Sequence, residues 1–312
     1  MAQPVTIESE ALRATVWPQF GGKVSSVVDK ADGCELLFSY PSELPTGPQY
    51  DQPYGKGWYA GWDECFPAVA PGRYVGHPYD GIAVPDHGEL WGLPTTSVPA
   101  KNGITTVWHG LRFGYRLTRK LSLEGDTLSA DYTLVNLAPI AFRFVWAQHA
   151  LLAMGGPAEL RVEPGAFRLS HDAKGTDIQR PFRWGGEVPE GLQRLERPDA
   201  LPAGGGWKIF GTEPISAPVV VGYPSREGGR TLTVSYASED GMPAYWGIWI
   251  NTGGWAGHRH FAVEPTTGRY DQIDRAVQDD SAGKVEPLGR RDWSVRWVVG
   301  EQAADSRAIR SL

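Results

Sequence analysis

Apolar and polar side chains alternate along much of this 312-residue chain with the period of a β-strand. The segments 113–123 and 128–134 each place their apolar side chains on one face, and the turn sequence "EGDT" lies between them. This pattern predicts an antiparallel hairpin. Three further segments alternate or run apolar at strand length: "RTLTVSY", "YWGIWIN" and "WSVRWVV". Helical periodicity is weak and confined to "YDQIDRAV" and the terminal "AADSRAIRSL".

Composition supports an all-β fold. Aromatic residues (13 Trp, 12 Tyr, 10 Phe) suit half-buried strands, and 39 Gly and 25 Pro supply turns between them. The absence of an internal repeat argues against a propeller. We therefore predict one large antiparallel β-sandwich domain over residues 1–300, with a tail at 301–312. Two Gly- and Pro-rich stretches, 44–57 and 183–206, are predicted to be long loops of the kind that cover binding sites.

Charge and targeting features narrow the possible partners. The net charge is −6, and no run of Lys and Arg is long enough to follow nucleic acid or an anionic membrane. The first residues lack the basic and apolar regions of a signal peptide, which predicts a cytoplasmic protein. Two cysteines, Cys34 and Cys65, are expected to be reduced thiols. The sequence does not indicate an oligomeric state.

The stretch "HFAVEPTTG", residues 260–268, presents a carboxylate on a core-like strand. Alternation puts His260, Ala262 and Glu264 on one face of that strand. Because Pro265 cannot donate to a ladder, the strand is expected to end, bulge or lie at an edge there. A buried carboxylate needs a partner, so Glu264 is a candidate for chemistry.

Three other stretches carry candidate groups, each with an ordinary structural alternative. Asp63 and Glu64 lie among aromatic residues in "GWDECFPAVAPGRY" and could be solvated loop charges. His87 in "VPDHGELWG" could be a turn residue. His149 in "FVWAQHALLAM" could be a hydrogen-bonded core histidine, which is the commoner role of a histidine in an apolar strand.

Taken in order along the chain, these motifs resemble the aldose 1-epimerase, or galactose mutarotase-like, superfamily. The resemblance is carried by "ECFPAVAPGRY", "PDHGELWG", "WAQHALL", "FAVEP" and "VEPLGRRDWSVRWVV", and it spans nearly the whole chain. It implies a β-sandwich with a sugar-binding cleft across one sheet.

The resemblance also implies catalytic roles. Glu264 would be the general base, His149 the general acid, and His87 a second histidine that supports the ring oxygen or a hydroxyl. The reaction is exchange between the α and β anomers of a sugar, which needs neither a metal nor an organic cofactor.

Four residues are candidate sugar ligands within that cleft. Trp91 and Trp249 could stack on a sugar, although the ordinary alternative, which is favoured for Trp249, is that both are core residues. Asp63 and Arg73 could bind its hydroxyls.

One motif departs from the superfamily. Members that act on hexose 6-phosphates have an arginine shortly after the His-Gly pair, whereas "HGELWG" has Glu89 and Trp91 there. We therefore expect an unphosphorylated sugar or sugar derivative.

Two other functions remain open. His258, His260 and Glu264 reproduce the His-x-His-x3-Glu spacing of cupin metal sites, which would make Glu264 a ligand. The glycine expected six residues before the first histidine is Thr252, and no second cupin motif follows. The third function is a non-catalytic sugar-binding module on the same sandwich.

Overall fold

The fold was analysed in a computed structural model, which describes residues 3–40 and 47–301. The predicted tail lies outside these residues except for Glu301, which ends the last strand. The weak helical segment at 303–312 also lies outside them.

The described residues are mostly strands. In chain order these are β1 (Val5–Glu8), β2 (Leu12–Trp17), β3 (Lys23–Asp29), β4 (Cys34–Glu35), β5 (Trp62–Cys65), β6 (Gly72–Arg73), β7 (Ala83–Val84), β8 (Thr96–Ala100), β9 (Gly103–His109), β10 (Tyr115–Glu124), β11 (Thr127–Asn136), β12 (Phe142–Phe144), β13 (Ala147–Ala153), β14 (Glu159–Arg161), β15 (Ala166–Asp172), β16 (Asp177–Arg183), β17 (Gly206–Gly211), β18 (Val219–Tyr223), β19 (Arg230–Ser238), β20 (Tyr245–Thr252), β21 (Arg259–Thr266), β22 (Gly283–Val285) and β23 (Arg290–Glu301).

Helical structure is short. The segment "YDQIDRAV" forms part of the α-helix α1 (Ile273–Gln278), as its weak periodicity suggested. The remaining helical turns are of the 3₁₀ type: Tyr54–Lys56, Leu90–Gly92 and Pro198–Ala200. Within residues 3–40 and 47–301, no helix has the length and apolar character needed to cross a bilayer.

Two large antiparallel sheets dominate the fold. The larger sheet has eleven strands in the order β1-β2-β3-β5-β13-β21-β20-β17-β15-β16, with β4 paired to β3. The second has eight strands in the order β14-β18-β19-β23-β11-β10-β9-β8. The predicted hairpin is β10 and β11, which pair from Tyr115–Asn136 to Glu124–Thr127. The prediction of an all-β antiparallel sandwich is confirmed.

The core lies where the two sheets face each other. Trp62 of the larger sheet stacks on Trp297 of the second, with ring centroids 5.2 Å apart. Glu64 points into the same interface, where it pairs with Arg119 of the second sheet at 3.0 Å. Because neighbouring residues of a strand point to opposite faces, Asp63 points to the other face of the larger sheet, where Tyr54 binds it.

The expectation for Pro265 is wrong in one respect. The strand β21 runs past it to Thr266 in the interior of the sheet, between β13 and β20. Toward β13, ladder partners are found at Thr266 and again at Ala262, but not in the interval that contains Pro265. The missing proline N–H therefore opens the ladder locally without ending the strand.

Candidate active site

A cavity of about 440 Å³ lies over the outer face of the larger sheet. Its lining comes from β13, β15, β16, β17, β20 and β21, from α1 and from the segments that connect them. Four of the sequence-predicted residues line it: Glu264, His149, His87 and Trp249.

Strand register explains why Glu264 and His149 meet. Ala147 pairs with Thr266 and Leu151 with Ala262, so His149 and Glu264 stand opposite each other between these two pairs. On its other side, His149 pairs with Asp63 of β5. Cross-strand partners share a face, so one row of side chains crosses the floor of the cavity.

Glu264 is fully buried on that floor. Its Oε2 accepts a hydrogen bond from Nζ of Lys208, while no group of the described residues bonds Oε1. Burial raises the pKa of Glu264, and the charge of Lys208 opposes that rise. An unpartnered oxygen on a buried carboxylate is a base that a ligand hydroxyl would satisfy.

His149 is held in its neutral form by its surroundings. Its Nδ1 lies 3.3 Å from Oη of Tyr54, and that hydroxyl donates to Oδ2 of Asp63 at 2.8 Å. The phenolic oxygen can then accept from Nδ1–H, which leaves Nε2 with the lone pair. Burial lowers the pKa of His149 well below its usual value, and the charges of His87 and Lys208 lower it further.

His87 occupies a tight turn, as its sequence context suggested, and the turn is what brings it to the cavity. Its backbone has a left-handed φ of 58°, and the following Gly88 approaches the backbone of Phe66 so closely that a Cβ would lie 2.2 Å from the carbonyl oxygen. The imidazole Nδ1 lies 2.8 Å from Oδ1 of Asp86. The ring stacks on Tyr54 with centroids 3.8 Å apart and meets His149 edge-on at 4.8 Å.

Trp249 and His260 form the aromatic end of the cavity together with Trp255. The indole N–H of Trp249 can only donate, and it points to Nε2 of His260 at 3.3 Å. His260 is therefore the tautomer protonated on Nδ1. Burial lowers the pKa of His260 to about 3.

These contacts do not fit the cupin arrangement. The Nε2 lone pair of His260 is used by Trp249, Glu264 is paired with Lys208, and His258 is not among the lining residues. In the part of the chain that the structure describes, no cluster of three metal-ligating side chains is found.

Three of the predicted sugar ligands lie outside the cavity lining. Asp63 is buried beneath Tyr54, where it also pairs with Lys23. Arg73 is exposed and donates to the carbonyl of Gly81 at 2.8 Å. Trp91 is buried edge-on against Tyr54 at 5.1 Å and supports the wall of the cavity.

One of the two predicted loops reaches the cavity, whereas the other loop and Glu89 do not. The loop at 44–57, described from Gly47 onward, contributes Tyr54 and Gly55 to the cavity, whereas the loop at 183–206 contributes no lining residue among those described. Glu89 is buried away from the cavity, where its Oε1 accepts from the Tyr50 hydroxyl at 2.6 Å.

Sequence reasoning missed several residues of the site, among them Tyr54, Lys208 and Asp271. Lys208 carried a usable signal, because "GWKIFG" puts one charge inside an apolar strand, as "FAVEP" does for Glu264. Tyr54 and Asp271 lie in connecting segments whose approach to the sheet depends on tertiary packing.

No family model and no curated protein matches this chain. Solved structures do. A galactose mutarotase-like protein from Lactobacillus casei is 17% identical, with a TM-score of 0.70 over 96% of this chain and 100% of the other. A galactose mutarotase-like protein from Clostridium acetobutylicum is 12% identical, with a TM-score of 0.69 over 96% of each chain. A galactose mutarotase related enzyme from Lactobacillus acidophilus is 11% identical, with a TM-score of 0.66 over 97% of this chain and 99% of the other.

These similarities extend over nearly the full length of all three neighbours. At this level of identity they establish the architecture and leave the activity open. The chain has the galactose mutarotase-like fold.

Proposed function

We propose that this protein is a mutarotase, an isomerase of the aldose 1-epimerase type that exchanges the α and β anomers of an unphosphorylated sugar. The observation that carries the proposal is the meeting at one cavity of two histidines and a buried carboxylate, Glu264, whose Oε1 has no partner among the described residues. Anomer exchange needs a base for the C1 hydroxyl proton and an acid for the ring oxygen. The ring opens, the C1–C2 bond rotates, and closure on the other face reverses both proton transfers.

Glu264 is the base in this proposal. Its free oxygen takes the C1 hydroxyl proton, and its burial raises its pKa, which makes it a stronger base than a solvated glutamate. Lys208 remains bonded to the second oxygen, so the carboxylate keeps a fixed orientation through the cycle.

The two histidines have different roles in this proposal. The superfamily resemblance implied that His149 is the general acid, and the geometry of the site leads us to change that role. A general acid must carry a proton at the atom that faces the substrate. His149 is neutral, with Nδ1–H directed to Tyr54, so it is suited to accept a hydrogen bond from a sugar hydroxyl. We assign the proton donation to His87, because the neighbouring Asp86 holds its Nδ1 and the electron-rich face of Tyr54 lies against its ring.

The charge of the cavity favours a neutral sugar. Apart from its histidines, the lining contains five carboxylates and two cations: Asp86, Asp172, Asp177, Glu264, Asp271, Lys208 and Arg275. Both cations are already paired, Lys208 with Glu264 and Arg275 with Asp177. A phosphate would therefore meet an excess of negative charge.

Trp249 and Trp255 offer aromatic surface for the apolar face of a sugar ring.

A non-catalytic sugar-binding module is the second candidate function, since the same fold can serve either purpose. The unpartnered Oε1 of Glu264 favours the enzyme, because binding alone does not require a base.

The test is saturation-transfer NMR on free hexoses and pentoses, hexose 6-phosphates and uronic acids. The rate of α to β exchange is measured with and without protein. The proposal predicts that at least one neutral sugar exchanges much faster with catalytic amounts of protein. Binding without faster exchange across the panel would leave the binding module as the function.

A further inference from the structure

Lys208 reaches Glu264 across a gap left by a glycine. On β17, Lys208 pairs with Trp249 of β20, and Gly247 of β20 pairs with Glu264 of β21. A Cβ at Gly247 would lie 3.4 Å from Oε2 of Glu264, which is the oxygen that Lys208 binds. Gly247 thus places no side chain between the lysine and the carboxylate.

Lys208 also approaches a second carboxylate. Its Nζ lies 3.5 Å from Oδ1 of Asp271, at the distance of an ionic contact and without a hydrogen bond. Burial alone would lower the pKa of Lys208, but the charges of Asp271 and Glu264 outweigh it and raise that pKa. The amine is thus a permanent cation between two carboxylates.

A second buried pair in the same protein shows how a structural pair is built. Glu64 in the sandwich core accepts hydrogen bonds from Arg119, Trp62 and Tyr132 at Oε1 and from Trp146 at Oε2. Both of its oxygens are satisfied, as expected for a buried charge with a purely structural role.

Glu264 differs from Glu64 in having one donor and one free oxygen among the described residues. Leaving a buried carboxylate half satisfied destabilises the fold. Such an arrangement is typical of a functional site, in which a ligand supplies the missing contact.

We propose that Lys208 is a positioning residue for the reaction. It fixes one oxygen of Glu264, so that the other oxygen faces the sugar, and it holds the carboxylate in its charged form. The nearby charge of Asp271 weakens this stabilisation of the charged form. This inference rests on the proposed function, because it assigns Lys208 a part in setting up the base. Lys208 does not touch the reacting atoms. It acts through Glu264.

Several charged or titratable groups surround Glu264, and the test must separate them. They are Lys208 on β17, Asp271 after β21, His149 on β13, Cys65 on β5 and His87 in the turn after β7. Burial raises the pKa of Glu264, Lys208 and His87 oppose the rise, and Asp271 adds to it. Removing Lys208 and removing the charge of Asp271 should therefore shift the ionisation of Glu264 in opposite directions.

The first measurement is the pH profile of kcat for anomer exchange, on the sugar that the panel identifies. Because the base must be ionised, kcat rises with pH through the pKa of Glu264. In Lys208→Met this rise should move to higher pH, with kcat roughly 100-fold lower at pH 6 and a smaller deficit at pH 9. Asp271→Asn should move the rise to lower pH. Lys208→Arg should restore most of the wild-type profile, because it retains the charge.

The second measurement does not depend on activity. Carboxyl-¹³C glutamate labelling follows the titration of each glutamate by NMR, and the signal missing in Glu264→Gln identifies Glu264. Its titration midpoint should rise in Lys208→Met and fall in Asp271→Asn. The matched control is Arg119→Met, which breaks the structural pair and should leave the midpoint of Glu264 unchanged.

The outcomes are distinguishable. If the midpoints shift as expected but the wild-type protein exchanges no anomers, the proposed function fails while the control of Glu264 by Lys208 stands. Unchanged midpoints in both variants, or a fall in Lys208→Met, would overturn the inference. If Lys208→Met does not fold, Lys208→Arg and Asp271→Asn still decide it, because an unchanged midpoint in Asp271→Asn contradicts the coupling between the three groups.

Discussion

Replacing His260 by phenylalanine should make the folded protein less sensitive to acid. The imidazole is fully buried, its centroid is 4.7 Å from that of Phe38, and its Nε2 accepts from the indole of Trp249. Phenylalanine has a similar shape but no titratable group. At neutral pH the variant loses one buried hydrogen bond, which costs about 1 kcal/mol.

The size of the acid effect follows from the pKa in the two states. His260 has a pKa of about 3 in the folded protein, against about 6.5 in an unfolded chain. Between these values the unfolded chain binds a proton that the folded protein does not, so stability is lost as the pH falls from about 6.5 toward 3. From pH 7 to pH 5 this histidine alone removes about 2 kcal/mol from the free energy of unfolding.

The assay is urea unfolding followed by tryptophan fluorescence at pH 7 and pH 5. The wild type should lose about 2 kcal/mol more between the two conditions than His260→Phe does. A matched control is Ile250→Val on the neighbouring strand, a buried change that should lower stability by about 1 kcal/mol equally at both pH values. If the wild type and His260→Phe lose the same free energy, His260 is not held neutral by burial.

Three further predictions concern the reaction. Asp86→Asn removes the anion that holds His87, so kcat should fall about 100-fold with little change in KM. Full activity of this variant would contradict the assignment of His87 as proton donor. Treatment with a chelator should leave the rate of anomer exchange unchanged, and elemental analysis should find no stoichiometric metal ion. One iron or manganese per chain, lost together with activity, would support a metal enzyme. The kcat/KM for a neutral hexose should exceed that for its 6-phosphate, and the opposite order would show that the histidines or Arg275 provide a phosphate site.

Strand periodicity predicted much of the fold because each sheet has one face in the sandwich core. The hairpin of β10 and β11 alternates buried and less buried residues along its length, and this is the pattern that the sequence shows. Pro265 misled the prediction because proline is rare inside a sheet. The fold accommodates Pro265 because β13 and β21 have no ladder partners in the interval that contains Pro265 and His149. Nothing in the local sequence indicates such an interval.

The site was predictable only where a polar residue interrupts an apolar strand. Glu264 and His149 stood out in this way, and Lys208 could have been found by the same reasoning. Adjacent charged residues of a strand lie on opposite faces of the sheet, so their roles depend on the register. Asp63 points toward the cavity side and Glu64 into the core, and a shift of one residue in register would exchange the two faces. Tyr54 could not be predicted, because a loop brings it to the strands only through tertiary contacts.

Replacing Glu264 tests whether this carboxylate is the base that removes the C1 hydroxyl proton. Glu264→Gln keeps the size of the side chain and an oxygen for Lys208, but it removes the proton acceptor. Its companion control is Glu64→Gln in the sandwich core, which should lower the melting temperature without lowering kcat per folded molecule.

The measurement is the rate of anomer exchange by saturation-transfer NMR, together with sugar binding and the melting temperature of each variant. We expect kcat of Glu264→Gln to fall by roughly 10²–10⁴ while the fold and sugar affinity survive. A stable, sugar-binding Glu264→Gln protein with near-normal exchange would contradict the assignment of Glu264 as the base.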